Sequence, residues 1–514
     1  MFIKRPGKRA LANHEPLYLT DHARPRTRRE FIAQGFRAGT AAVVGASALS
    51  LLASPRGAFA DLSEEISRCG IAVNGAGKIP FICFDLAGGA SMAGSNVLVG
   101  KSGGQLDFLT TQGYNRQGLP GDMLPNNPTF INTELGLAFH TDSGFLRGIQ
   151  QTTSAATRGG INGAVIAARS ENDTGNNPHN PMYGIHRAGA NGSLLSLIGS
   201  RTSDSGGNSM APMDLMNPEV RPTKVDRPSD VTGLVDTGNL VGLLSQSDAV
   251  EVMESIYRIS DQRLARLTTG LSRDEAIKEL VRCGYVKTAD LAQRYGDPSA
   301  LDPGSDPDIV GPAGIFTSDE FNREREFQKT ASVMKMVLSG YAGAGTITMG
   351  GYDYHTGERG TGERRDLLAG RCMGACLEYA ARKRMPLMLY VFSDGSVSSN
   401  GRIDDSVDGR GKGEWTSDNQ QTAASFYLVY SPNSRPTAIR NQIGWMREDG
   451  NVETSSSPAA NNVNQLVQTV LLNYMALHGE QGQFDSRFTG HGLGNSASLD
   501  RLIGVAPIVS GTIS

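Results

Sequence analysis

The chain reads as an α/β protein, a mostly parallel sheet flanked by helices, with a helical insert and long Gly- and Asn-rich loops. Three observations predict this. Beyond residue 312 the pattern alternates: an amphipathic helix at 319–338, a strand at 345–349, a helix at 363–382 and a strand at 386–392. Strands separated by helices at this spacing lie parallel, with right-handed crossovers. Residues 386–392 are apolar almost throughout, as expected of a strand covered on both faces. Residues 79–86 form a third apolar run, which passes directly into a Gly/Ser turn at 87–96. Sheets of this kind bind ligands beyond the carboxyl ends of their strands.

The remaining elements follow in order. The first 60 residues carry an export address. Arg28 and Arg29 sit in a twin-arginine pattern, a weakly apolar run covers 38–53, and Ala58 and Ala60 form a small-residue cleavage site. A mature start near Asp61, a periplasmic or extracellular location and dependence on the twin-arginine translocation machinery are expected. Residues 61–514 are read as one domain, without an apolar run long enough to span a membrane. With five cysteines and an oxidising destination, a Cys69–Cys283 bridge is expected, the others being buried thiols. A net charge of −3 argues against a nucleic-acid binder.

Residues 100–135 are rich in Gly, Asn and Pro and read as loops. His140 precedes a short helix at 143–149, and 162–168 is an apolar strand. Residues 176–186 hold two prolines and several asparagines and read as an ordered loop. Its His179 and His186 are either a site wall or two surface histidines. The helical insert covers about 247–295: a helix to about 267, a second opening on the capping box Ser272 to Glu275, and a third at 288–295. A Pro/Asp/Gly linker covers 296–312, and a long helix covers 461–478.

The chemistry-bearing stretch is 346–355. It ends in Gly350, Gly351, Tyr352, Asp353, Tyr354 and His355. In extended chain, residues two apart project to the same side, so Asp353 and His355 form half of a site for Zn or Mn. Asp394, between Ser393 and Gly395, closes the next strand. The glycines of 357–362 and 409–413 fit neither the dinucleotide fingerprint nor the P-loop spacing, and read as flexible loops.

These residues resemble the exported DUF1501 proteins of the alkaline phosphatase/sulfatase-like superfamily. The likeness rests on Arg28 and Arg29, on Leu86-Ala87-Gly88-Gly89, on Gly350 to His355, and on Ser393-Asp394-Gly395. It implies an alkaline-phosphatase-like fold and a two-metal site that cleaves phosphate or sulfate esters. Asp353, His355, Asp394 and Asp418 would be ligands, with Ser91 as nucleophile. Two places depart from the pattern. Ala90 and Ser91 stand where the family has a carboxylate, and Asp418-Asn419 stands for Asp-His. Asp85 is the expected substitute ligand, with His140, His179 and His491 as further candidates. An amide suits calcium better than zinc, so the ion is Zn, Mn or Ca. Arg147, Arg169 or Arg402 would clamp an anionic ester. The alternative is a non-catalytic exported protein that keeps the fold for binding or assembly. The oligomeric state is left open.

Overall fold

A computed structural model describes residues 77–171, 176–234, 246–264, 298–357 and 359–511, together with positions 266, 278, 282, 283 and 513. The chain divides into two compact units. One comprises Met1–Cys69 and Glu251–Ala289. Most of it lies outside the described residues, including the expected leader at 1–60; the expected insert helices at 272–281 and 288–295 also fall almost wholly outside them. The expected helix from about 247 is present as Gln246–Leu264. Cys283 is disulfide-bonded, while its expected partner Cys69 is outside the described residues.

The other unit, Gly70–Val250 with Asp290–Ser514, holds the sheets. In chain order its strands are β1 (Phe81–Leu86), β2 (Ile131–Asn132), β3 (Phe139–His140), β4 (Ile161–Ile166), β5 (Leu195–Gly199) and β6 (Thr223–Lys224). They continue as β7 (Ala342–Met349), β8 (Leu387–Ser393), β9 (Val397–Asp404), β10 (Lys412–Asp418), β11 (Ser425–Tyr430) and β12 (Gln442–Ile443). Eight of them form one sheet in the order β12-β4-β11-β8-β1-β7-β5-β6. Only β11 runs against its neighbours; all other pairings are parallel. β9 and β10 form a separate antiparallel hairpin.

The strands expected at 79–86, 345–349 and 386–392 lie side by side at the centre. Leu86 is in register with both Met349 and Ser393, so the carboxyl ends of β1, β7 and β8 are flush. Their side chains alternate between two cores. Ile82, Phe84 and Leu86 join one, with Phe145, Val333, Met334 and Met373 from the helices Gly144–Thr152, Arg325–Leu338 and Arg359–Arg382. Phe81 and Cys83 join the other, with Leu466, Val470 and Met475 from Val463–Leu477. Both faces are therefore dry, which accounts for the unbroken apolar pattern of β8.

Three expectations needed correction. The helix expected over 319–338 is two helices, Ser318–Arg323 and Arg325–Leu338. Glu324 between them is extended, and its carboxylate accepts from Glu326 N at 3.1 Å. Thr317 and Glu320 form a capping box on the first. Two start signals this close outweigh a continuous apolar stripe. The 176–186 segment is not loop throughout, since Met182–Arg187 is a short helix. The 100–135 stretch holds another, Thr111–Arg116, capped by Thr110. Among the described residues Cys83, Cys372 and Cys376 are free, buried thiols, and no helix is long and apolar enough to cross a membrane.

Candidate metal centre

The site is built where β1, β7 and β8 end. Past Leu86 the chain turns through Gly88 and Gly89, whose φ angles are +127° and +135°. A Cβ on Gly88 would lie 2.5 Å from the backbone nitrogen of Asp353, so only glycine allows this approach. The three strand ends are laced together. Ala87 N donates to Met349 O at 2.9 Å and Tyr352 N to Ala87 O at 3.2 Å. Ser393 Oγ donates to Leu86 O at 2.6 Å and accepts from Ala90 N at 2.9 Å.

From β7 the chain leaves with alternating burial. Tyr352 and Tyr354 are buried, while Asp353 and His355 face outward. The two-residue spacing thus places a carboxylate and an imidazole on one side, and His355 Nε2 lies 2.8 Å from Asp353 Oδ1. Asp418 reaches the same place from the hairpin, with Oδ2 at 3.6 Å from His355 Nε2. Two bonds seat it there. Asn419 N donates to Ser396 O at 2.8 Å, just beyond the end of β8, and Gly357 N donates to Trp415 O at 2.7 Å on β10.

Asp353, His355 and Asp418 offer ligand atoms all within 4.8 Å of one another, the one such group among the described residues. Ligand atoms about 2.1 Å from one tetrahedral ion are roughly 3.4 Å apart. The observed separations of 2.8 and 3.6 Å lie on either side of that figure. Side-chain exposures of 62%, 30% and 50% leave the group open to solvent. One imidazole and two carboxylates suit Zn or Mn better than an all-oxygen calcium cage. Three protein ligands leave room for water or a substrate oxygen.

The other candidates go elsewhere. Asp85 is not part of this group. Its Oδ2 accepts from Asn208 N at 2.6 Å and Ser209 N at 2.9 Å, and its Oδ1 from Ser209 Oγ at 3.1 Å. Burial raises its carboxyl above the usual range, against those bonds and the Arg201 charge. Asp394 is also buried and also spent: Oδ1 accepts from Gly88 N at 2.8 Å and Oδ2 from Asn208 Nδ2 at 3.0 Å. Both carboxylates hold loops in place. Ser91 is 3% exposed. Its N donates to Tyr354 OH at 3.0 Å and its carbonyl accepts from Asn96 Nδ2 at 2.7 Å. It therefore sits on the inward side of Tyr354, opposite to Asp353 and His355.

Asn419 caps the turn Gln420–Thr422 by accepting from Gln421 N at 3.0 Å. His140 is buried with Nε2 3.0 Å from the Met123 carbonyl, and burial lowers it to about 4. His179 is fully buried beside Phe392 and likewise lowered to about 4 by desolvation. His186, half-buried on Met182–Arg187, is lowered for the same reason. His491 pairs with Asp485 at 2.7 Å. The expected anion clamps are occupied as well. Arg147 binds Glu363, Arg169 binds Asn461 and Gln420, and Arg402 faces Glu414.

Two buried networks had no expectation attached. Asn96 Nδ2 donates to Asp366 Oδ2 at 2.7 Å, and Tyr354 OH lies 3.4 Å from Asp366 Oδ1. Beside them Lys412 Nζ, fully buried, binds Glu363 at 2.8 Å and Asp142 at 3.2 Å. Burial works to raise the Glu363 carboxyl, but Lys412 and Arg359 outweigh it and hold it low. The signal available for these was weak: Glu363 and Asp366 fall in the polar first half of the helix Arg359–Arg382, where no apolar stripe marks the core-facing side.

No family model matches this chain, nor does any curated protein or any solved structure.

Proposed function

We propose that the protein is an exported, metal-dependent hydrolase of phosphate or sulfate esters, of alkaline-phosphatase-like descent. One observation carries the reading: Asp353, His355 and Asp418, from two separate segments, meet beyond the flush carboxyl ends of parallel strands. That is where sheets of this kind bind ligands. Asp353 and Asp418 would hold a divalent ion together with His355 Nε2. Such an ion, when bound, polarises an ester oxygen and makes bound water more acidic. Asp353 Oδ1 lies 2.8 Å from His355 Nε2, so the two would offer donor atoms side by side to one ion. Ser91 lies beneath Tyr354, so on this reading the attacking group is water rather than the Ser91 hydroxyl. The twin-arginine address supports export in the folded state.

The test is turnover of 4-nitrophenyl phosphate and 4-nitrophenyl sulfate by the purified protein with Zn, Mn or Ca added. Activity that falls at least a hundredfold in His355→Ala supports the proposal. No turnover with any of the three ions overturns it. A second reading, a non-catalytic exported binding protein, draws on the burial of Ser91 and the use of Asn419 as a cap. On that reading an Asp353→Ala, His355→Ala double variant keeps its biological role in the producing cell.

A further inference from the structure

A second concavity opens beyond the ends of β5, β6 and β7. Its volume is about 570 Å³, and no apolar side chain lines it. Ser200 to Ser203 follow β5, Lys224 and Asp226 come from the end of β6, Thr348 and Gly350 from β7, and Arg325, Glu326 and Lys329 from the helix that precedes β7. Four cations thus face two carboxylates.

Their pairing leaves a surplus. Lys329, largely buried, donates at 2.7 Å to Glu326 and at 2.7 Å to the Thr348 carbonyl. Arg325 takes Asp226 at 2.7 Å. Lys224 reaches Asp226 only at 3.5 Å and Asp230 at 3.7 Å. Arg201 has no carboxylate at ion-pair distance among the described residues, although its charge acts on Asp85; Nη1 donates to the neutral Asn208 Oδ1 at 3.1 Å. Asn208 is itself anchored, through its N to Asp85 and its Nδ2 to Asp394. The guanidinium therefore has one fixed bond and several spare N–H donors, a fork that matches a phosphate or sulfate group.

We infer that this cleft binds a small polyhydroxylated molecule carrying one oxyanion, of the size of a sugar phosphate or sugar sulfate. Arg201 and Lys224 take the oxyanion. Ser200, Thr202 and Ser203, with the carboxylates of Asp226 and Glu326, face hydroxyl groups. A cavity of this volume falls in the range of about 300–1,000 Å³ that holds such ligands. With no apolar side chain among its lining residues, it offers no face to flat apolar ones. The inference does not depend on the metal centre being catalytic.

The experiment is isothermal titration of the full-chain product, with EDTA present to silence any metal contribution. The probes are glucose 6-phosphate, glucose 6-sulfate, glucose and inorganic sulfate. Saturable binding of a sugar ester, at least tenfold tighter than glucose and than inorganic sulfate, is expected. Arg201→Ala weakens it at least tenfold, Lys224→Ala at least threefold, and Asp353→Ala leaves it within twofold. If Arg201→Ala melts early, Lys224→Ala decides. Lack of saturable binding by either ester, equal binding of glucose or of inorganic sulfate, or unchanged binding in a folded Arg201→Ala or Lys224→Ala overturns the inference. Loss of ester turnover without loss of this binding would bear only on the hydrolase reading.

Discussion

Asp85 and Asp353 are both carboxylates at the ends of parallel strands, and the chain uses them in opposite ways. Asp85 is sealed under the loop it organises and accepts from two backbone amides. Removing it leaves one buried and one partly buried N–H group without an acceptor, which costs about 3 kcal/mol. Asp353 is exposed, and its loss changes stability by no more than about 0.5 kcal/mol. Chemical denaturation of Asp85→Ala and Asp353→Ala should show this contrast; equal midpoints would contradict it. Asp366 adds a pH signature. Burial raises its carboxyl to about 7, with the nearby Glu363 charge adding to the effect. The native chain then holds a proton that the unfolded chain releases near pH 4. Its contribution to stability is present below pH 4 and lost as pH rises through about 7. His140 works the other way: held to about 4 by burial, it contributes stability above its ordinary 6.5 that is lost as pH falls through 4. The two trends offset each other, so a difference measurement is needed. The melting temperature of Asp366→Asn minus that of the wild type should rise between pH 4 and pH 7; a flat difference would remove Asp366 from this role.

Two helices on one face of the sheet are held together by small residues. Gly370 on Arg359–Arg382 faces Gly144–Thr152 so closely that a Cβ would stand 2.3 Å from Phe145 O. The same is true in reverse of Gly148, whose Cβ would meet Leu367 O at 2.3 Å. Gly370→Ala must push the helices apart and is expected to cost about 1–3 kcal/mol, read from the denaturation midpoint, despite alanine's better helix propensity. A stabilised variant would contradict the packing. At this level much of the chain was readable. β1 and β8 announced themselves because each is apolar over most of its length, β7 because a β-rich run there ends in two glycines, and the alternation of helix and strand made them parallel. The i,i+2 spacing of Asp353 and His355 translated directly into a shared side. The seating of Asp418 was not readable from pattern, because it depends on the β9–β10 hairpin, whose half-exposed, glycine-broken strands carry no clear alternation. β11 reads as apolar as β8, and nothing local tells that it runs antiparallel. Nor does sequence tell which loop will claim a strand-end carboxylate. Asp85 and Asp394 were correctly sited at the carboxyl edge, yet the 205–209 loop and the Gly88 turn took their oxygens.

Across the unit, the carboxyl edge of the sheet carries two adjacent kinds of surface. Over β1, β7 and β8 stands an acidic and imidazole group suited to a cation. Over β5, β6 and β7 stands a cleft with surplus positive charge. Gly350 lines that cleft three residues before Asp353, and Asn208 joins its wall to Asp394. A sheet that exposes one edge to solvent while burying both faces has few other places to build chemistry. The cation site is the part on which the enzymatic reading depends, and its occupancy can be measured without any substrate. Elemental analysis of the purified protein, before and after incubation with Zn, Mn or Ca and desalting, should find about one ion per chain. In His355→Ala, folded as judged by circular dichroism, that ion should be gone. No bound ion under any loading condition, or equal content in the wild type and in His355→Ala, would contradict the assignment.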